Sequence, residues 1–340
     1  MSVSEAPLAA FLGCAGLRPT REERALFADV RPLGFILFSR NVESPGQVAD
    51  LVAELRACAG RPDAFVLIDQ EGGRVRRLGP PHWPAYPPQG AFRPLYARDP
   101  ERGREAVRLN ARLIAHDLAA LGIDVDCLPL LDVLDPAGHD IIGDRAYGAD
   151  PESVADLGRV CCEGLLAGGV LPVVKHLPGH GRARADSHES LPVVTAGRAD
   201  LEAVDFAPFR ALADAAMGMT AHVVYTAIDP DRPATLSPDV VEGVIRSHIG
   251  FDGLLMTDDI SMKALDGDFA DRARDSLAAG CDVVLHCNGD WDEMRAVVSG
   301  CRPLDAAGQA RADRARAALT PPASFDAGAA RAQLETLLAS

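Results

Sequence analysis

The 340-residue chain has few aromatic residues, 5% of the total, although 48% of it is hydrophobic. Its core must therefore be filled by aliphatic side chains, and the composition is that of a globular chain rather than a disordered or fibrous one. Positive charge is also scarce. The 34 Lys and Arg stand against 49 Asp and Glu, a formal net charge of −15. A field of that sign repels phosphate backbones and anionic lipid, so neither a nucleic acid nor a membrane is an expected partner. No two cysteines are spaced as C-x-x-C, and the adjacent pair Cys161–Cys162 cannot easily hold one ion from a helix. The pattern does not suit structural zinc and suits reduced, buried thiols. A long apolar run is missing too. The run Leu8 to Leu17 falls far short of the ~20 residues of a spanning helix. The segment before it has no Lys or Arg and carries Glu5, so the charged start of a signal peptide is absent. The expectation is a buried first strand in a cytoplasmic protein.

What is present is alternation. Short apolar runs lie at Ala9–Leu17, Leu33–Phe38, Phe65–Asp69, Asp124–Leu131, Leu171–His176, Gly218–Val224, Gly253–Thr257 and Asp282–Cys287, with longer amphipathic stretches between them. Most of the runs are continuous rather than alternating, as parallel strands covered on both faces require. Ser44-Pro45, Asp150-Pro151 and Ser237-Pro238 each read as an N-cap followed by proline at the first helical position. Eight strand–helix units predict an α/β fold, a single (β/α)₈ barrel of the TIM type. A doubly wound open sheet is the alternative, but no glycine-rich phosphate loop follows the first strand. The barrel is expected over residues 1–302, with an Ala- and Arg-rich helical tail over 303–340. Three connections, at 72–99, 132–149 and 179–198, are longer than a barrel needs. All follow predicted strands, so they belong to the face where barrels carry their sites.

Polar residues gather at the strand ends: Asp69, Asp132, Lys175, His176, His222, Asp258, Asp259 and Asn288. Any one Asp there would serve equally as a helix cap; the whole set converging on one mouth points to a site. The richest stretch is Lys175-His176-Leu177-Pro178-Gly179-His180-Gly181 followed by Asp186-Ser187-His188. Its histidines match no common zinc spacing, and Lys175 would repel a cation, so no metal is expected. Asp186 and His188 can hydrogen-bond in a tight turn. The carboxylate would then fix the tautomer and leave the other ring nitrogen to exchange a proton. Asp258 stands where its strand runs out; a carboxylate fixed there could attack an anomeric carbon, the alternative being a helix cap, a role that suits neighbouring Asp259 better.

The segments Gly34–Asn41, Asp69-Gln70-Glu71-Gly72-Gly73-Arg74-Val75, Ile142–Tyr147, Lys175–Gly181 with Asp186-Ser187-His188, Ala221–Tyr225 and Phe251–Met262 together resemble the NagZ-type β-N-acetylglucosaminidases (β-N-acetylhexosaminidases) of glycoside hydrolase family 3. The likeness runs from about Leu12 to Asn288. It implies a retaining hydrolase in which Asp258 is the nucleophile and His188 the acid/base, oriented by Asp186. Asp69, Arg77, Arg145, Lys175 and His176 match the positions that hold the sugar. The implied substrates are peptidoglycan fragments, N-acetylglucosamine joined to anhydro-N-acetylmuramic acid and its peptides, cleaved in the cytoplasm during cell-wall recycling. No cofactor is implied, and a monomer is expected. Leu177, Thr257 and Ile260 replace residues that are commonly Phe, Ser and Leu in the family; these swaps flank the site. A neutral base would not repel phosphate, so weak phosphorolysis beside hydrolysis is a further expectation. The rival readings are a β-glucosidase or β-xylosidase on the same barrel and a non-catalytic sugar-binding protein.

Overall fold

The apolar runs all become strands in the computed structural model, which describes residues 6–187 and 189–339. They are β1 (Leu8–Gly13), β2 (Pro32–Leu37), β3 (Phe65–Ile68), β4 (Val125–Asp126), β5 (Leu171–Leu177), β7 (Met217–Thr220), β9 (Leu254–Asp259) and β10 (Val283–His286). Two short strands, β6 (Val193–Val194) and β8 (Val224–Tyr225), pair with each other outside this set. The eight close into a barrel in the order β1-β10-β9-β7-β5-β4-β3-β2, every pair parallel. Helices surround it, so the fold is the single (β/α)₈ barrel read from the sequence. Along that order β3 and β9 stand on opposite sides of the barrel.

Both faces of the strands are covered. The interior is packed by Phe11, Leu67, Val173, Met217, Leu254 and Val283. A second cluster joins the outer faces to the helices, including Leu51, Leu118, Leu157 and Val244. The helices start where their caps predict. Ser44 Oγ accepts from Gln47 N ahead of the helix Pro45–Cys58, and Asp150 accepts from Ser153 N ahead of Pro151–Ala167, which stops at Gly168. Ser237 Oγ accepts from Val240 N at the start of Asp239–Ile249. Each such cap satisfies one of the amides a helix leaves unpaired.

Within the run 124–131 only Val125–Asp126 forms a regular ladder, and Pro129 further on has no N–H to donate. The chain keeps following β5 irregularly. Val173 N donates to Leu128 O at 3.0 Å, Lys175 N to Pro129 O at 3.2 Å and Leu131 N to Lys175 O at 2.8 Å. This delivers Asp132 to the side of His176.

The helix Ala306–Ala318 closes the opposite end of the barrel. Ala312 and Ala315 join the interior cluster, and Arg311 reaches both Asp252 and Asp282, just ahead of β9 and β10. The Arg316 guanidinium lies 3.9 Å from the ring centroid of Phe65, the first residue of β3. Among the described residues no helix is long and apolar enough to cross a membrane.

Candidate active site

Gln70 shapes the turn that follows β3. Its side-chain oxygen accepts from Arg77 N and Leu78 N, at 3.0 and 2.9 Å, and its amide donates to Leu78 O at 2.9 Å. Its own N–H donates to Asp126 Oδ1 at 2.9 Å. The folded-back turn leaves Asp69, Glu71 and Arg77 facing one cavity of about 420 Å³ at the C-terminal mouth of the barrel.

An ion network fills the β3 side of that cavity. Lys175 Nζ lies 3.0 Å from Asp69 Oδ1 and 2.7 Å from Glu71 Oε1. Arg77 Nη2 donates to Asp69 Oδ2 at 2.9 Å, while Arg145 grips Glu71 through Nε and Nη2 at 2.9 and 2.8 Å. Lys175 and Glu71 are each only 2% exposed. Burial alone would raise the acids' pKa values, but the cations outweigh it. Lys175 and Arg77 hold Asp69 well below the usual carboxylate range, and Arg145 and Lys175 lower the pKa of Glu71. The network is ionised, and it turns fixed donors and acceptors toward the cavity.

A second relay runs to the far side. His176 Nδ1 lies 2.7 Å from Asp132 Oδ2, so it carries the proton and donates; His180 N donates to Asp132 Oδ1 at 2.7 Å. Burial opposes ionisation of Asp132, yet His176 and His180 bring its pKa down to about 2. The other nitrogen of His176 points to Asp258, 4.0 Å from Oδ2. Burial, reinforced by His176, lowers His180 to about 4, so His180 is neutral beside it.

Asp258 sits near the end of β9, 8% exposed and lining the cavity, with Oδ1 accepting from Asp259 N at 2.8 Å. Behind it His222 donates from Nε2 to Asp259 O at 3.0 Å, and its Nδ1 lies 2.7 Å from Thr235 Oγ1. Burial keeps His222 neutral by lowering its pKa. His222 thus braces the strand end that presents Asp258. Asn288, on the rim, bonds Glu293.

The cavity therefore brings together Asp69, Arg77, Arg145, Lys175, His176 and Asp258. Asp186 belongs to the 179–198 connection; its carbonyl accepts from Glu189 N and Ser190 N at 2.9 Å each, and the next residue, Ser187, lines the cavity. His188 lies outside the described residues. Two residues central to the geometry were given no role from the sequence alone. Glu71 was visible only as part of a motif, and Asp132 only as one strand-end acid among several. Among the described residues no three His, Cys, Asp or Glu side chains are grouped as a bound cation would need.

A profile of the glycosyl hydrolase family 3 N-terminal domain matches residues 6–317. The chain belongs to glycosyl hydrolase family 3. This family 3 chain is 41% identical over 281 residues to a beta-hexosaminidase of Thioalkalivibrio sulfidiphilus, covering 82% of itself and 80% of that protein. Its fold is similar to that of NagZ from Neisseria gonorrhoeae, solved with N-trifluoroacetyl-D-glucosamine. The TM-score is 0.86 at 31% identity, over 98% of both chains. A beta-N-acetylhexosaminidase from Beutenbergia cavernae is also similar, with a TM-score of 0.74 at 28% identity over 98% and 96% of the two chains. Family membership and the barrel agree with the resemblance read from the motifs, and the protein is a glycoside hydrolase of the β-N-acetylglucosaminidase kind.

Proposed function

We propose that the protein is a retaining exo-β-N-acetylglucosaminidase that releases N-acetylglucosamine from the non-reducing end of peptidoglycan fragments ending in anhydro-N-acetylmuramic acid. The observation that carries this reading is the opposition of Asp258, on β9, to the Asp69–Lys175–Glu71–Arg145 network around β3. A sugar whose anomeric carbon meets Asp258 turns its far edge, with its hydroxyls, toward that network, which stops the chain from running further and favours exo cleavage.

In the first step the Asp258 carboxylate bonds to the anomeric carbon as the bond to the leaving oxygen breaks, and protonated His188 gives its proton to that oxygen. In the second, neutral His188 takes a proton from water, the water oxygen bonds to the anomeric carbon, and Asp258 departs as carboxylate. Asp186 orients the imidazole. Asp69, Arg77, Arg145, Lys175 and His176 hold the sugar. Most retaining glycosidases use two carboxylates about 5 Å apart; a histidine suits the second role because its ordinary pKa is near 6.5.

The test is release of aglycone from a chromogenic β-N-acetylglucosaminide against the matching β-glucoside. Turnover of the N-acetyl sugar with net retention is expected, and a preference for the glucoside overturns the substrate. Asp258→Ala is expected to lower the rate by about a thousandfold or more while N-acetylglucosamine still binds. Unchanged turnover would remove Asp258 from the mechanism.

A further inference from the structure

The loop that leaves β5 is pinned at its root between two elements of the outer shell. Gly179 adopts φ +140°, and a Cβ there would meet Asp205 Cβ at 3.0 Å. A Cβ on Gly181 would lie 1.8 Å from Val133 O. The root thus threads between the segment following Asp132 and the turn at Leu201–Asp205, a passage only glycine can take. That turn is itself anchored, with Leu201 and Phe206 fully buried and the Phe206 ring 6.4 Å from that of Tyr225. Tyr225 in turn donates its hydroxyl to Gly179 O at 2.5 Å.

Arg182 crosses this passage. Its Nε donates to Asp205 Oδ2 at 2.6 Å, and its Nη1 lies 3.6 Å from Asp135 Oδ2. The Asp205 side chain is only 2% exposed, so the pair is a well-shielded charge contact rather than a solvated one. Further along, Ala183 O accepts from His139 N at 2.7 Å, and Ser187 O accepts from Ala264 N at 3.2 Å. Between these two holds lie only Arg184, Ala185 and Asp186. The loop is therefore held at its root by Arg182 and Ala183 and at its far end by Ser187, and Arg182 makes the side-chain ion pair among these holds.

We propose that Arg182 and Asp205 are positioning residues for acid catalysis: their ion pair sets the distance between the loop's proton donor and the leaving oxygen above Asp258. The proposal rests on the reading of His188 as acid/base given above. Proton transfer needs heavy atoms about 2.6–3.2 Å apart, and a displacement of ~1 Å can cost about a hundredfold. An anchor several residues from the donor can therefore govern the step without touching substrate.

The test compares kcat/KM, which reports the step that expels the leaving group, across N-acetyl-β-glucosaminides with aryl leaving groups from 2,4-dinitrophenyl to 4-methoxyphenyl. The activated aryl group departs without a proton; the poor one needs it. Arg182→Ala and Asp205→Asn are expected to lose roughly tenfold or more on the poor leaving group and less than about threefold on the activated one. Arg182→Lys is expected to recover most of the loss. A merely structural role lowers kcat/KM equally for all leaving groups, and that result, or no loss at all, overturns the proposal. His188→Ala is run in parallel, with thermal melts confirming that each variant folds. If His188→Ala shows the steep leaving-group dependence and the anchor variants do not, the positioning role alone fails. If His188→Ala is flat as well, the acid/base reading falls with it.

Discussion

Glu71 and Arg145 face each other as a two-pronged pair, with Oε1 to Nη2 at 2.8 Å and Oε2 to Nε at 2.9 Å, and Lys175 approaches the same Oε1 at 2.7 Å. One carboxylate thus compensates two buried cations. Glu71→Ala would leave both partly unpaired, which is expected to cost about 3 kcal/mol or more in a urea unfolding titration. It should also lower kcat/KM by roughly a hundredfold, because Lys175 and Arg145, which line the cavity, lose their fixed positions. A variant as stable and as active as wild type would show that the network is ornamental.

Asp132 governs which nitrogen of His176 carries the proton. An amide at this position can turn its NH₂ toward Nδ1 and reverse the tautomer, so that Nε2 would present a proton to Asp258. Asp132→Asn is therefore expected to lower kcat/KM by roughly a hundredfold with little change in melting temperature. His176 and His180 hold Asp132 at about 2, so in the wild type this carboxylate stays ionised throughout pH 5 to 8. An Asp132→Asn variant with unchanged kcat/KM would contradict the assignment.

Asp205 gives a stability prediction of defined sign. Burial raises it from 3.8 to about 6; Arg182 opposes the shift, Asp132 adds to it, and Asp135 stands on the far side of Arg182. The folded state therefore holds this proton more tightly than the unfolded chain does. Its stabilising contribution is complete below about pH 4 and is lost as pH rises through 6. At ~1.4 kcal/mol per pH unit the loss is about 3 kcal/mol. Asp205→Asn should match wild type near pH 4 and exceed it by up to that amount at pH 7, even as it loses acid catalysis. Parallel stability curves for the two proteins would refute the linkage.

Chelation should leave activity unchanged. Asp69 and Glu71, the acids best placed to attract a cation, are already neutralised by Lys175, Arg77 and Arg145. The check is turnover before and after prolonged exposure to EDTA. A loss restored by one added divalent ion would show that a metal takes part.

Much of this was legible in the residues because parallel strands buried on both faces leave unbroken apolar runs, and serine or aspartate before proline marks a helix start. The ends were less legible. The first run reads as continuing to Leu17, yet the strand stops at Gly13, where Cys287 O and the Arg40 guanidinium leave no space for a Cβ. The fourth run shows no sign of how early its ladder fails, since its apolar character persists to Leu131 while its hydrogen bonding turns irregular. In the site, Asp258, Lys175 and His176 announce themselves by standing at strand ends. Glu71 does not, since an acid two residues into a turn becomes central only once the fold brings Arg145, 74 positions away, against it. Arg182 was hidden for the same reason: its partner lies 23 positions on, in a different element.

The helix Ala306–Ala318 has a consequence for how the molecule is made. Its alanines finish the interior that β1 begins, and Leu304 N reaches back to Pro7 O at the other end of the chain. A chain made as far as β10 would thus hold all eight barrel strands and still lack the helix that covers their lower end. Closing the interior therefore depends on residues that come after the last strand in the order of synthesis, so the barrel is sealed by a segment that contributes no strand to it.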